Sequence, residues 1–492
     1  MPLPPTWKTL SHPRALAFAC CVTACGDDDR DARTADASFD AARHEDASGA
    51  STELDAARSD THADAALADA AAALADAAPS FAMRVISSEL ASPWELTFGH
   101  DGALWVSERT GKRVTRIDPT SGARTTLLTL DDAYQASGQD GVLGLAIQAG
   151  SDFVYLAYTY DADASDEVLR RAKIVRYRFA TQLVEPTVLI EDLPASSDHN
   201  SGRLALAPDQ TLVYALGDQG NNQFERKCEP IRAQELPTQS ELDARDWSHY
   251  VGKILRLALD GSIPADNPVL QGVRSHVFSY GHRNAQGLAF AADGTLYASE
   301  QGPKSDDELN QIRAGGNYGW PYVAGFRDDR AYAYGDWSAA PDCGALTYSD
   351  YTLPASVPQQ PESAWTGSFV PPLRTFFSVD SDYDFTSCSI SAYVCWPTIA
   401  PSSLAIYTGA AIPRWSGSFL LTSLKDGAVH RVAGASDEVL FRTVNRYRDL
   451  AIASDGRTFY VATDVAGDTR ALDGSPSDAL ANRGAILEFR LR

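Results

Sequence analysis

Apolar and polar residues alternate in short runs over most of the chain from Phe81 onward, and Gly-, Asp- and Pro-rich turns separate the runs. A period of two is the pattern of a half-buried β-strand, because successive side chains point to opposite faces. Residues 96–105, 204–214, 288–297 and 450–460 share one design. Each is an apolar strand, an Asp-centred turn (Asp101-Gly102, Asp209-Gln210, Asp293-Gly294, Asp455-Gly456) and a second strand carrying an aromatic. Asp-Gly between strands predicts a hairpin, since the turn needs φ > 0 and glycine adopts it freely. Two weaker copies, 143–155 and 418–431, bring the count to six. Recurring hairpins with few helical patterns predict an all-β, six-bladed β-propeller, each blade burying its faces against its neighbours. Two packed β-sandwiches are the competing architecture. Residues 327–400 break the rhythm and read as a long irregular insertion, whose aromatics (Trp337, Tyr348, Tyr351, Trp365, Tyr383, Tyr393, Trp396) favour a functional role.

The first 80 residues follow another pattern. Lys8 and Arg14 precede a short apolar run, 15–22, and the small residues Thr23 and Ala24 precede Cys25. A basic start, an apolar run too short to span a bilayer and small residues before a cut describe a secretory signal. The residues before Cys25 resemble a bacterial lipobox. That implies an exported, cell-envelope lipoprotein (periplasm or cell surface), with membrane contact only through a lipid on Cys25. Residues 26–80 hold 14 Asp/Glu against 4 Arg, with Phe39 as the only aromatic. Such a segment cannot bury enough apolar surface to offset the entropy of ordering. The expected organisation is a lipoprotein-type signal over 1–25, a disordered Ala/Asp-rich tether over 26–80 and the propeller over 81–492.

Charge and cysteines refine this picture. The net charge of −23 argues against nucleic acid as a partner. Cys228, Cys343, Cys388 and Cys395 lie in the folded part, where three pairings are open. Cys388 and Cys395 are close enough in sequence for a hairpin staple, and Cys228 with Cys343 follows only by elimination; four free thiols are the alternative.

No dinucleotide fingerprint, P-loop, His-Glu-x-x-His zinc motif or nucleophile elbow is present. The chemistry must come from charged and polar loop residues beside the repeat strands: Gln139, His199, Asp218, Arg283 with Asn284, Asp306-Asp307-Glu308, Lys425 and Arg446-Tyr447-Arg448. In a propeller such loops gather at one mouth of the central channel. His199 then reads as a base and Asp218 as its orienting partner, brought together by convergence on the axis. Lys425, Arg446 and Arg448 would hold a polyanionic small molecule. Taken singly, each basic residue is a surface ion pair, and the acidic run is a solvated turn.

These residues stand in motifs that strongly resemble the soluble, pyrroloquinoline-quinone (PQQ) dependent glucose dehydrogenases of the glucose/sorbosone dehydrogenase family. The resemblance covers about Leu90 to the C-terminus. It rests on Gly138-Gln139-Asp140-Gly141, Asp198-His199-Asn200-Ser201-Gly202-Arg203, Gly217-Asp218-Gln219-Gly220 and Gly281-His282-Arg283-Asn284. It continues through residues 300–308, Gly315-Gly316-Asn317-Tyr318-Gly319-Trp320-Pro321, Cys395-Trp396-Pro397-Thr398, Ser423-Leu424-Lys425 and residues 445–449.

The resemblance implies a six-bladed propeller that oxidises glucose or related aldoses at C1 to the lactone and passes electrons to an external acceptor. His199 would take the C1 hydroxyl proton as hydride passes to PQQ. Asp218 would stabilise the imidazolium, and Arg283 the charge developing on the quinone oxygen. Gln139, Asn284, Tyr393, Trp396, Thr398, Lys425, Arg446 and Arg448 would bind the cofactor. Gln139, Asp218, Gln223, Tyr393 and Trp396 would contact the sugar. Ca²⁺ is the implied metal, with Gly302, Pro303, Glu308, Tyr318, Ala324, Phe326, Asp328 and Glu362 as ligands, the neutral ones through backbone oxygens. A homodimer is also implied by the resemblance alone.

Departures cluster where the sugar would sit. Asp140 and Asn200 replace the expected amides beside Gln139 and His199, and the loops holding Cys228 and Cys343 diverge. Those two cysteines have no familiar counterpart, and would staple the two loops. A Ca²⁺-dependent lactonase would need no Lys425, Arg446 and Arg448, and a non-catalytic sugar-binding propeller would tolerate loss of His199, Asp218 or Arg283. All six are present.

Overall fold

The computed structural model describes residues 79–492 apart from 137, 164, 166 and 387–391. The expected signal, the anchor at Cys25 and nearly all of the tether lie outside these residues, as does Cys388. Six four-stranded antiparallel sheets make up the described chain, with three small two-stranded ribbons in the connections. In chain order the blades span 93–129, 142–194, 204–280, 285–376, 401–440 and 447–491. Their first strands touch one another in a closed ring, the sixth against the first. Both ends of the propeller build the last blade: Phe81–Ser87 is its outer strand and pairs antiparallel with Ile486–Leu491, Phe81 opposite Leu491.

The turn chemistry read from the sequence is what closes the inner hairpins. Asp101, Asp209, Asp293 and Asp455 each accept, through a carboxylate oxygen, the amide two residues on, at 2.7–3.1 Å. Gly102, Gly294 and Gly456 take positive φ, and Gln210 does so in the copy that lacks glycine. The apolar faces then meet between blades. Six clusters of buried side chains lie one at each blade-to-blade interface, for example Trp105, Val154 and Tyr177 between the first two, and Leu104, Ala462 and Ile486 between the first and the last. Each large side chain so buried is worth roughly 1.5–3 kcal/mol, which is how over 400 residues hold together as one ring.

Two expectations need correction. Residues 418–431 are the second and third strands of the fifth blade (Phe419–Ser423 and Val429–Ala433), not its inner hairpin. The inner strand is Pro401–Ile406, joined to Phe419 by a long turn, and the Asp-Gly signal at Asp426-Gly427 belongs to the next turn out. The 327–400 span is not wholly irregular. It holds the ribbon Ala333–Gly335 with Gln359–Pro361, a small core around Trp337, Cys343 and Val357, and the fourth blade's outer strand, Arg374–Phe376.

Cys228 and Cys343 form a disulfide with Cα atoms 5.7 Å apart, tying the loop after Asp218 to this insertion. Cys395 is also disulfide-bonded, but its expected partner Cys388 lies outside the described residues. Near the axis, Arg203 pairs with Glu95 (2.6 Å) and Asp449 (3.1 Å) and donates to the carbonyls of Gln286 and Ser402 at 2.8 Å. One buried guanidinium of the third blade thereby joins the first, fourth, fifth and sixth. Among the described residues no helix is long and apolar enough to cross a membrane.

Candidate active site

One end of the ring opens into a cavity of about 730 Å³. Its walls come from the loops that lead into the first strands and from the turns after the second strands. The insertion and the loop after Asp218 form its rim.

His199 and Asp218 meet for a simpler reason than convergence of loops on the axis. They flank one hairpin, in which Leu204–Leu206 pairs antiparallel with Thr211–Leu216, Leu204 opposite Tyr214. Extending that register brings the residues before the first strand beside those after the second. Gly217 makes the approach close enough, since a Cβ there would lie 2.1 Å from the His199 carbonyl oxygen. His199 and Ser201 take φ of +44° and +52°, turning the imidazole toward the cavity.

His199 Nδ1 lies 2.7 Å from Asp218 Oδ1. A carboxylate can only accept, so Nδ1 donates to it, which in a neutral imidazole leaves the lone pair on Nε2. Nε2 is on the cavity side, 3.5 Å from Gln223 Nε2 and 3.8 Å from Asp198 Oδ2. Asp218 is also held by Gly220 N (3.0 Å, to Oδ1) and Trp320 Nε1 (2.8 Å, to Oδ2). Burial opposes its ionisation, but His199, Arg283 and the Gly220 amide outweigh burial and keep the carboxyl below its usual range. Asp218 is buried behind His199 and does not line the cavity. The structure therefore puts it behind His199, the residue that faces the cavity.

Arg283 lines the cavity beside this pair, its guanidinium donating to Gln301 O (3.1 Å) with Cζ 5.4 Å from the Trp320 ring centre. Gln139 and Gln223 both donate to Asp198, at 2.6 and 3.1 Å. Across the cavity stand Arg446 and Arg448, which share Asp464: Arg448 with two bonds of 2.9 and 2.8 Å, Arg446 at 3.3 Å. Tyr393, Trp396 and Thr398 complete that wall. Lys425 sits behind it, fully buried, donating to Trp396 O (3.1 Å) and Thr398 Oγ1, with Nζ 4.7 Å from the Tyr393 ring centre. Burial pushes its ammonium down, and Asp307 partly restores it. Asn284 lies beneath the floor, its amide oxygen accepting from Ser201 and Gln286 and its nitrogen donating to Gln301. Asn200, where a divergent residue was expected to bear on the sugar, is likewise turned inward, bonding Ser196 and Gln139 O.

The expected metal ligands divide into two neighbouring groups. Gly302, Pro303, Glu308, Tyr318 and Ala324 line a small cavity of about 10 Å³ behind the main one. Glu362 accepts the amides of Ala324, Asp328 and Asp329, each at 3.0 Å. Phe326 and Asp328 are exposed on the same loop. Among the described residues no three His, Cys, Asp or Glu side chains come together as a metal site; the expected set relies chiefly on carbonyls.

Sequence reasoning missed Trp320, Asp198 and Asp464 as site residues. Trp320 and Asp198 stand inside quoted motifs, but nothing in the pattern says that the indole reaches Asp218. Asp464 follows the strand Thr458–Thr463, the position equivalent to Asp218 in its own blade, and that equivalence was a usable signal.

The geometry thus defines a propeller with an oriented histidine facing a cationic wall across one cavity. Residues 90–350 and 381–471 match the family model described as glucose/sorbosone dehydrogenase. The chain is 42% identical to quinoprotein glucose dehydrogenase B of Acinetobacter calcoaceticus over 434 residues, 83% of this chain and 91% of that protein. It is 25% identical to an aldose sugar dehydrogenase of Escherichia coli K12, covering 78% of this chain and 91% of that one. It superposes on the PQQ-bound aldose sugar dehydrogenase of Streptomyces coelicolor with a TM-score of 0.56 and 27% identity, covering 84% of this chain and all of that structure. The chain belongs to the glucose/sorbosone dehydrogenase family and is an oxidoreductase.

Proposed function

We propose that the protein oxidises glucose or a related aldose at C1 to the lactone, with PQQ as its cofactor, Ca²⁺ bound beside it and an external electron acceptor. The observation that carries this reading is the pairing of an oriented base with a cationic wall in a single cavity. The cavity residues fit a flat polyanion rich in acceptors and donors. Gln139 Oε1, Gln286 Oε1 and Trp396 Nε1 are buried, belong to lining residues and have no hydrogen-bond partner among the described residues. Buried polar atoms are rarely left so, and a ligand would satisfy them. The relatives named above as a quinoprotein and as PQQ-bound support the same cofactor.

Arg446, Arg448 and Thr398, with Lys425 behind, would hold the carboxylates, and Tyr393 and Trp396 offer flat faces. PQQ, when bound, supplies a two-electron acceptor for the sugar's hydride. The remaining work falls to the chain. His199 Nε2 takes the proton of the C1 hydroxyl, and Asp218 stabilises the imidazolium that forms. Trp320 and Gly220 keep Asp218 aimed, and Arg283 brings a fixed positive charge to the reacting end. Gln139 and Gln223, with Asp198, position the sugar's hydroxyls.

For the metal, Gly302 and Pro303 would give carbonyls to a Ca²⁺ beside the cofactor, and Glu308, Tyr318, Ala324, Phe326, Asp328 and Glu362 would serve structural ions. The donor chemistry fits. Burial raises the pKa values of Asp306, Glu308 and Glu362, that of Glu362 to about 7. Carboxylates buried this way are relieved by a hard divalent cation. In the same proposal, an export signal and an anchor at Cys25 would put the activity at the cell envelope.

The test is reconstitution. PQQ and Ca²⁺ are added to purified protein, then glucose and a redox dye. Sugar-dependent bleaching is the expected result; absence of PQQ binding in an absorbance titration overturns the reading.

A further inference from the structure

The cationic wall of the cavity has a third guanidinium that no motif singled out. Arg109 follows the strand Leu104–Glu108 of the first blade and lines the same cavity as Arg446, Arg448 and Asp464. Its backbone is fixed from two sides, the N–H donating to Ser92 O at 2.9 Å and the carbonyl accepting from Val142 N at 3.2 Å. Gly141, at φ +125°, leaves space for it: a Cβ there would lie 2.4 Å from the Arg109 carbonyl oxygen and 2.9 Å from its Cγ. The turn that carries Gln139 is thus shaped around this arginine.

Charge balance is the second observation. The Arg109 side chain donates to a neutral acceptor, Asp140 O, at 3.1 Å. Asp464, the carboxylate of this wall, is already taken by Arg446 and Arg448. Arg109 thus adds a third guanidinium beside a carboxylate that two arginines already hold, and Asp140, the other carboxylate near it, is paired with Arg170. Burial and the nearby Arg448 both work against the charge on Arg109, and Asp464 and Asp140 offset them only in part. Like charges close together in a low-dielectric site repel strongly, and an anionic ligand relieves them. A strut needed only for the Asp140 carbonyl could be neutral.

We propose that Arg109 binds the carboxylates of the quinone cofactor together with Arg446 and Arg448. This rests on the PQQ reading given above, and it adds a residue to the wall. An arginine is suited to the task because its planar fork can meet a carboxylate with two parallel bonds while a third N–H stays on Asp140 O.

The test uses the full chain, purified without cofactor, and reads PQQ binding by absorbance titration at low and high salt. Arg109→Met keeps the bulk and removes the charge; Arg109→Lys keeps the charge and removes the fork. Loss of one charge-assisted contact raises the PQQ Kd by about ten- to a hundredfold in Arg109→Met at low salt, with a shallower salt dependence than wild type. Arg109→Lys falls between the two. Thermal unfolding of the cofactor-free proteins checks the fold; should Arg109→Met unfold, a several-fold weaker Kd in Arg109→Lys is the supporting result. Wild-type Kd values in both variants overturn the proposal while leaving the PQQ reading intact. A wild-type protein that binds no PQQ overturns that reading first.

Discussion

Replacing Asp218 by asparagine separates the two tasks assigned to the carboxylate, orientation and charge. Three donors converge on it: His199 Nδ1 (2.7 Å) and Gly220 N (3.0 Å) on Oδ1, and Trp320 Nε1 (2.8 Å) on Oδ2. An amide has one oxygen to offer them. With that oxygen at Oδ1, His199 and Gly220 keep their acceptor and the amide NH₂ faces the Trp320 N–H. With it at Oδ2, Trp320 is satisfied, but the NH₂ faces Gly220 N and forces Nδ1 to accept. The proton then moves to Nε2, and the base is lost. Each orientation leaves one donor facing another, so both are populated and tautomer loss alone costs only a small factor. The larger effect is the missing negative charge beside a buried imidazolium. Breaking one partner of a buried pair costs about 3–5 kcal/mol, which corresponds to a fall in kcat of about 10²- to 10⁴-fold. The assay is dye reduction by reconstituted protein, with the PQQ Kd measured in parallel and expected unchanged. His199→Ala and the double variant complete a cycle, and the double is expected to match His199→Ala alone. A kcat for Asp218→Asn within about threefold of wild type, or losses that multiply in the double variant, would refute the coupling.

Three further outcomes are expected. Cys228→Ser with Cys343→Ser, or reduction of the bond, frees the rim loops; the sugar KM rises several-fold with kcat and PQQ affinity kept, and unfolding stability falls by about 2–4 kcal/mol, read by denaturant melts. Gly217→Ala drives a Cβ into the His199 carbonyl oxygen, 2.1 Å away, and is expected to abolish most activity while far-UV circular dichroism stays propeller-like. His430 is clasped between Asp426 and Asp437, each at 3.1 Å; burial opposes its charge, the two carboxylates prevail, and its pKa rises to about 9. Below about pH 6.5 the folded and unfolded chains both hold this proton and the stabilisation is complete. As pH climbs toward 9 only the folded chain keeps it, so stability falls by up to about 3 kcal/mol, and His430→Gln should flatten that part of the melting-temperature profile.

Much of the architecture was legible because its signals are local. An Asp two residues ahead of the amide it caps, and a glycine at positive φ, specify a hairpin whatever surrounds them. The fifth blade was misread because the same Asp-Gly signal closes an outer hairpin there. His199, Asp218, Arg283, Arg446 and Arg448 were found because loops at one end of a propeller carry little other than function. Asn284 and Asn200 stand in the motifs, and the bonds their amides make to neighbouring loops are revealed only by the packing. Trp320 reaches Asp218 across 102 residues, and Arg109 meets Arg448 from the far side of the ring closure. Such meetings depend on which blades abut, and no local pattern encodes them.

The closing strand has a consequence for how the chain must mature. Phe81 pairs with Leu491, about 410 positions later. Until Ile486–Leu491 is available, the sixth blade lacks its third strand, and Phe81–Ser87 lacks the strand it pairs with. Phe81–Ser87 waits for Ile486–Leu491, and during that interval the half-built blade offers a bare sheet edge to any other chain nearby. A truncation that removes Ile486–Leu491 therefore strips Phe81–Ser87 of its partner and leaves the hairpin of Tyr447–Ile452 and Thr458–Thr463, which bears Arg448, with an uncovered outer edge. Completion of the sixth blade is in this sense tied to the cavity: the hairpin that carries Arg448 and precedes Asp464 has the closing strand packed behind it.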